Sequence, residues 1–456
     1  MKAIQPTINH HFTITRRLPR PVRAQQELLF DDTNWSSKAS NPATRLAKSL
    51  THMLHNQIES IHTQKTLTQS NYSTILEDKS NTPISFPKDD ISNNWEEFHG
   101  ANNWDNLLDP INPSLRQELL KYGELAQATY DAFDYDPYSE YCGSCRYNRN
   151  KLFEKLGLTR HGYHVTKYIY ATSQIDLPRW LEKSQVAETW STHSNWMGFV
   201  AVSDDEESRR IGRRDIVVAW RGTVSASEWY EDFQRNLETF GHGDAKVEEG
   251  HSLGGALALL NAYEAAAIFV NLPVSVISFA APRIGNSVFR DELHELGVKI
   301  LRVVVKQDIV PWTAGMVFNN ESLQNFDEIT GGLQWIHPHA GVELKLDARA
   351  SPYLKRGLQL LGHHMLETYL HLLDGYESSK VPFRPDATRD IALVNKECDL
   401  LINELRIPPR WYQVANKGLV QNAYGRWVKP KRDPEDIPSP TSESANCNEM
   451  QYVLGY

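Results

Sequence analysis

The residues with the clearest chemistry in this chain are Gly250-His251-Ser252-Leu253-Gly254-Gly255. They fit G-x-S-x-G, in which a serine sits on a tight turn between a strand and a helix with its Oγ projecting. Gly250 and Gly254 flank the serine because a backbone folded that sharply leaves no room for side chains. The residues from Ala256 to Ala267 are small and apolar at helical spacing and predict the helix that follows. Its first N–H groups, led by that of Leu253, would stabilise an oxyanion. A serine nucleophile also needs a base and an acid to orient it, in the chain order Ser, Asp, His. Asp308 follows the apolar run Ile300 to Val305 through Lys306-Gln307. It therefore falls at the carboxyl end of a strand, where open α/β sheets place their sites. As base, His337, His339, His363, His364 and His371 all compete, and periodicity does not choose among them.

The elements that must position these residues can be read from the same sequence. Apolar runs at 198–202, 216–220, 274–279 and 300–305 predict strands. Between and after them lie helical patterns at 256–267 and 364–373. Asn112-Pro113, a cap followed by proline at the first helical position, predicts another helix start, with Leu115, Leu119, Tyr122 and Ala126 on one face. Alternating short strands and helices indicate an α/β fold with a mostly parallel central sheet.

Composition narrows the class. The chain has 456 residues, 40% of them hydrophobic, with net charge −9 and four cysteines. No run of about 18 apolar residues occurs, as a membrane-spanning helix would need. The acidic balance argues against a nucleic-acid binder, and the few cysteines against a disulfide scaffold. Residues 1–75 run the other way, with nine basic and four acidic side chains, and all five charges in the first 26 residues are basic. A basic, hydroxylated, acid-poor leader reads as an organelle transit peptide, and an ordinary disordered tail has the same composition. After Trp427 the chain turns to Lys, Pro, Ser, Glu and Asp, and residues 431–456 are expected to be a disordered tail.

Several blocks together resemble the plant class I phospholipases A1 of the chloroplast gamma subgroup, within the fungal-type, class 3 lipases. They are Gly250–Gly255, Trp220-Arg221-Gly222-Thr223, the stretch from His364 to Tyr376, Gly212–Ile216, Ala281–Asn286 and Ile407-Pro408-Pro409-Arg410-Trp411. The likeness covers residues 92–430, read as the catalytic domain. The resemblance implies an α/β-hydrolase-type lipase fold and hydrolysis of sn-1 acyl esters of phospholipids, often galactolipids and sometimes triacylglycerols. It puts the nucleophile on Ser252, the aspartate on Asp308 and the base on His364, with His371 not the base. It adds Thr223 as an oxyanion residue beside Leu253, and Gly250, His251 and Gly254 form the elbow. It implies no cofactor and no calcium or other metal, a chloroplast location and a membrane lipid surface as partner.

One departure stands beside the nucleophile. Only Val224–Glu249 separate the Thr223 region from the elbow, where the family has a lid and an apolar strand. Glu248-Glu249 stand where a central parallel strand should be apolar. The lid and that strand are therefore expected to be missing. The alternative function is a catalytically impaired lipid-binding paralogue or truncated isoform. A third function, a thiol redox or metal protein, rests on Cys142 and Cys145, whose C-x-x-C lacks two further ligands at zinc spacing. Glu367 reads as a helix-surface or locally hydrogen-bonded residue, Asp204–Glu207 as a solvated loop, and Trp220 and Trp229 as core.

Overall fold

Seven strands form one sheet whose spatial order is the chain order: β1 (Tyr163–Thr172), β2 (Ser194–Ser203), β3 (Ile216–Trp220), β4 (Glu248–His251), β5 (Ser275–Phe279), β6 (Lys299–Val305) and β7 (Val342–Leu346). The computed structural model describes residues 88–136, 138–172, 194–224, 248–269, 272–312, 338–357, 359–413 and 418–437. The leader 1–75, Trp229, His337 and the tail from 438 lie outside the described residues. The first two pairings are antiparallel, and every pairing from β3 to β7 is parallel. The mostly parallel α/β sheet expected from the sequence is present.

The main helices are α1 (Pro113–Asp131), α2 (Asp205–Ile211), α3 (Leu253–Ile268), α4 (Ser287–Glu295), α5 (Leu360–His364) and α6 (Leu366–Gly375). Parallel neighbours joined in chain order need crossovers of one hand, so α3 and α4 share a face of the sheet. The two-residue strand period sorts the core accordingly. Val276 and Ile300 pack with Ala258, Leu259, Ala262 and Leu293 on that face. Ile277, Phe279, Leu301 and Val303 pack with Leu115, Leu119, Leu370 and Leu373 of α1 and α6 on the other. At the start of α1, the Asn112 side chain accepts from the N–H groups of Ser114 and Leu115, the cap that the Asn-Pro pair predicts.

The strand before the nucleophile, expected to be missing, is present in shortened form. β4 has four residues, paired at four positions with β5 and at two with β3. Parallel pairing uses backbone N–H and C=O groups, which Glu-Glu-Gly-His supplies like any other sequence. The expected lid would fall in 225–247, outside the described residues.

Other expectations are corrected by packing. Asp204–Glu207 is not a loop: Asp204 caps α2, and Glu207 is buried on Lys121 and Arg210. Glu367 is not on the helix surface but buried on Arg389. The segment from 431 to 437 is not loose, because Arg432 pairs with Asp134 at 2.7 Å and buried Asp436 accepts from the Asn148 N–H. The predicted helix 364–373 breaks at Met365, whose extended backbone separates α5 from α6.

Candidate active site

Ser252 occupies the turn between β4 and α3 with φ 60°, ψ −130°, a backbone region that L-residues seldom adopt. Such a residue costs about 1–3 kcal/mol and persists only when its surroundings hold it. Here the Ser252 N–H donates to the Phe279 carbonyl at 2.9 Å. The flanking glycines serve close approach rather than unusual dihedrals. A Cβ at Gly250 would fall 2.3 Å from the Gly254 carbonyl group, and one at Gly254 2.4 Å from the Trp220 oxygen. β4, α3 and the end of β3 therefore meet backbone to backbone at the serine.

The two oxyanion candidates converge on the same turn. Leu253 is the first residue of α3, where N–H groups have no intrahelical acceptor. Thr223 follows Gly222, at which a Cβ would lie 3.1 Å from the Ser252 Cβ and 2.4 Å from the His251 oxygen. The loop after β3 thus abuts the elbow.

Among the candidate histidines, the structure brings His364 to this point. Its Nδ1 lies 2.7 Å from Asp308 Oδ2, and both residues are buried. Its ring lies tilted against that of His251, the residue before Ser252, with centroids 4.6 Å apart. Asp308 is held in turn: the Val310 N–H donates to Oδ1 at 3.0 Å, and the Tyr369 hydroxyl to Oδ2 at 2.7 Å. Burial, then the neighbouring carboxylate, pushes the Tyr369 phenol well above its usual range, so it stays a donor.

His371 belongs to a different set of contacts. Its Nε2 meets Ser351 Oγ at 2.8 Å, and its ring lies against Phe383. Burial, then Arg389, lowers it to about 4. Ser351 also accepts from the Tyr353 N–H, as a turn residue does. This buried Ser–His pair is part of the packing under α6. His363 accepts from the Gln359 N–H within its own helical turn, and burial lowers its basicity, as it does for His339.

Sequence reasoning assigned His251 only to the elbow and left Tyr130 and Tyr369 out. The structure gives His251 a further task. Its Nε2 lies 2.6 Å from the His364 carbonyl and its Nδ1 2.7 Å from Tyr130 Oη. A carbonyl only accepts, so Nε2 carries the proton and Nδ1 accepts from tyrosine. Burial, then His364, holds His251 well below its usual pKa, which keeps the ring neutral beside His364. Tyr130 sits on the last turn of α1, 121 residues away in sequence, so no local pattern signals the contact. His251→Phe is expected to lower kcat on a soluble ester about 10- to 100-fold with KM little changed. His251→Gln, which can donate to the same carbonyl, should recover part of the loss in the same steady-state assay.

No group of His, Cys, Asp and Glu suited to a metal ion occurs among the described residues. Cys142 and Cys145 are not joined in a disulfide. Burial, then Asp134, raises the Cys142 thiol to about 11, and the Cys145 thiol donates to the Tyr168 hydroxyl. Neither is placed as a reactive thiolate.

Known proteins are similar to this chain over most of its length. The profile of the class 3 lipase family matches residues 246–318, which take in the elbow and Asp308. Phospholipase A1-Igamma1, chloroplastic, of Arabidopsis thaliana is 41% identical over 406 residues, covering 75% of this chain and 79% of that protein. Phospholipase A1-Igamma3, chloroplastic, of the same plant is 41% identical over 435 residues, covering 79% of this chain and 81% of the relative. Among solved structures, a lipase from Rhizopus microsporus var. chinensis aligns at 20% identity and TM-score 0.33, covering 53% of this chain and 77% of that one. The share of this chain in the first match, 75% of 456 residues, is shorter than the 406 residues spanned. The relative therefore carries residues without a counterpart here. With identity of this level across most of both chains, and the elbow, aspartate and histidine in the family's order, the chain belongs to the class 3 lipase family, among the plant class I phospholipases A1 of gamma type.

Proposed function

We propose that this chain is a phospholipase A1 that hydrolyses the sn-1 acyl ester of glycerophospholipids, with galactolipids and triacylglycerols as further substrates. The observation that carries the reading is the 2.7 Å contact of His364 Nδ1 with buried Asp308, beside a serine held at positive φ. Asp308 holds the imidazole with Nδ1 protonated, which leaves Nε2 to take the proton of Ser252 Oγ. The serine attacks the acyl carbonyl, and the N–H groups of Leu253 and Thr223 receive the developing oxyanion. His364 returns the proton to the departing glycerol oxygen, and water then releases the fatty acid by the same steps. No cofactor enters. The impaired alternative rested on a missing lid and a missing strand; β4 is present, and the place of the lid lies outside the described residues.

The names of the Arabidopsis relatives support a chloroplast location, as does the basic, acid-poor leader 1–75 read as a transit peptide before a catalytic domain at 92–430. The test is phosphatidylcholine with different acyl chains at sn-1 and sn-2, alongside monogalactosyldiacylglycerol. Release of the sn-1 fatty acid with a 2-acyl lysolipid is the expected result. Release from sn-2, or none from either lipid, contradicts it.

A further inference from the structure

Residues 419–428 carry a small hairpin, β8 (Val420–Gln421) paired with β9 (Trp427–Val428), on the surface. Its side chains are the wrong kind for water. Tyr424 is 88% exposed, Trp427 66% and Leu419 61%, with Val420 and Val428 also exposed. Two residues per strand do not hold a hairpin by themselves, so the turn is fastened by polar contacts. Asn422 Oδ1 accepts from the N–H groups of Tyr424 and Arg426, and the Gln421 side chain donates to the Gly425 carbonyl. The turn thus presents a defined aromatic and aliphatic tip to solvent. A patch of this kind marks an interaction surface.

The charges of the hairpin segment itself are all basic. Residues 418–431 contain Arg426, Lys429 and Lys431 and no acidic residue, in a chain of net charge −9. Exposed tryptophan and tyrosine beside cations is the composition of the membrane interface, where amphipathic rings sit at the headgroups and cations meet anionic lipids.

The foot of the hairpin shows which way it faces. Lys429 donates to the Tyr138 carbonyl and lies 3.7 Å from Asp136, and Arg432 pairs with Asp134 and donates to the Cys145 carbonyl. This segment continues directly from α1, whose Tyr130 touches His251 at the elbow. Phe133, between them, lies under the Arg221 guanidinium, 3.9 Å from its ring centroid, just before Gly222-Thr223. The hairpin is therefore fastened to the end of the molecule that carries Ser252.

We propose that the 419–428 hairpin, with Arg426 and Lys431, is an interfacial anchor that seats the catalytic end on an anionic phospholipid bilayer. The inference rests on the lipid-hydrolase reading and adds the surface by which the enzyme meets its substrate. Binding is measured in the full chain carrying Ser252→Ala, so that the lipid is not consumed, by co-sedimentation with vesicles of equal parts phosphatidylcholine and phosphatidylglycerol. Tyr424→Ser with Trp427→Ser, and separately Arg426→Gln with Lys431→Gln, should each weaken binding about tenfold or more. In chains retaining Ser252, hydrolysis of vesicle lipid should fall with binding, while kcat/KM on soluble p-nitrophenyl butyrate and Tm stay at the parent values. Unchanged vesicle binding overturns the proposal. So does an equal loss on the soluble ester, which would mean a structural role, or a parent dimer that the variants dissociate without loss of vesicle binding. If the parent cleaves no ester yet the variants lose vesicle binding, the hydrolase reading fails and the anchor stands.

Discussion

Ser252→Ala is expected to lower kcat on phosphatidylcholine by about four to six orders of magnitude, with Tm within about 2 °C of the parent. The hydroxyl is the only atom lost, and alanine keeps the Cβ at φ 60°, so the backbone strain is the same in both chains. Asp308→Asn should cost about 10⁴ in kcat, because an amide in place of the carboxylate no longer holds the imidazole with Nδ1 protonated. His364→Ala should match the serine variant. His371→Ala separates base from packing: it removes the Ser351 contact and the ring against Phe383, so it should lower Tm while the surviving folded protein keeps its kcat. The opposite pattern, an inactive His371→Ala and an active His364→Ala, would place the base on the wrong turn of the chain.

Arg389→Met is expected to destabilise the fold by about 3–5 kcal/mol, measured by urea unfolding. The guanidinium joins Glu367 of α6 to Glu124 of α1, the latter at 2.6 Å, and its backbone N–H donates to Asp374. Burial already holds Glu367 above its usual pKa, against the pull of Arg389. Without the arginine its folded-state pKa rises further above the unfolded value. The penalty is then full at pH above that raised value and shrinks as pH falls and the carboxyl takes a proton. The deficit should accordingly be larger at pH 8 than at pH 5, and Glu367→Gln in the same chain should recover part of it. Glu367 lies three residues after His364, so the loss of activity should follow the fraction unfolded. A pH-independent deficit would show that Glu367 is not the group left uncompensated.

The chemistry-bearing positions were legible in the sequence because they sit where local pattern is strong. Ser252 stands between glycines before a small-residue helix, Asp308 directly follows an apolar strand, and Asn112-Pro113 opens α1 as a cap should. The parallel character of the sheet followed from apolar runs alternating with helices for the same reason.

What the tertiary structure alone decided lies in contacts between distant segments. Local pattern left the base open among five histidines, and only the family resemblance pointed to His364. Its contact with Asp308, 56 residues earlier, is one of which periodicity along a helix carries no record. Tyr130, Tyr369 and the second role of His251 were invisible on the same ground. Carboxylates misled in both directions. Glu207 read as part of a solvated loop and Glu367 as a helix-surface or locally hydrogen-bonded residue because Lys121 and Arg389, which meet them, come from other elements. Glu248-Glu249 read as fatal to a strand whose pairing is made by the backbone. Local sequence encodes the propensity and the exposed chemistry of a segment. Whether a charge is compensated, and which histidine meets which acid, is set by which surfaces the fold presses together.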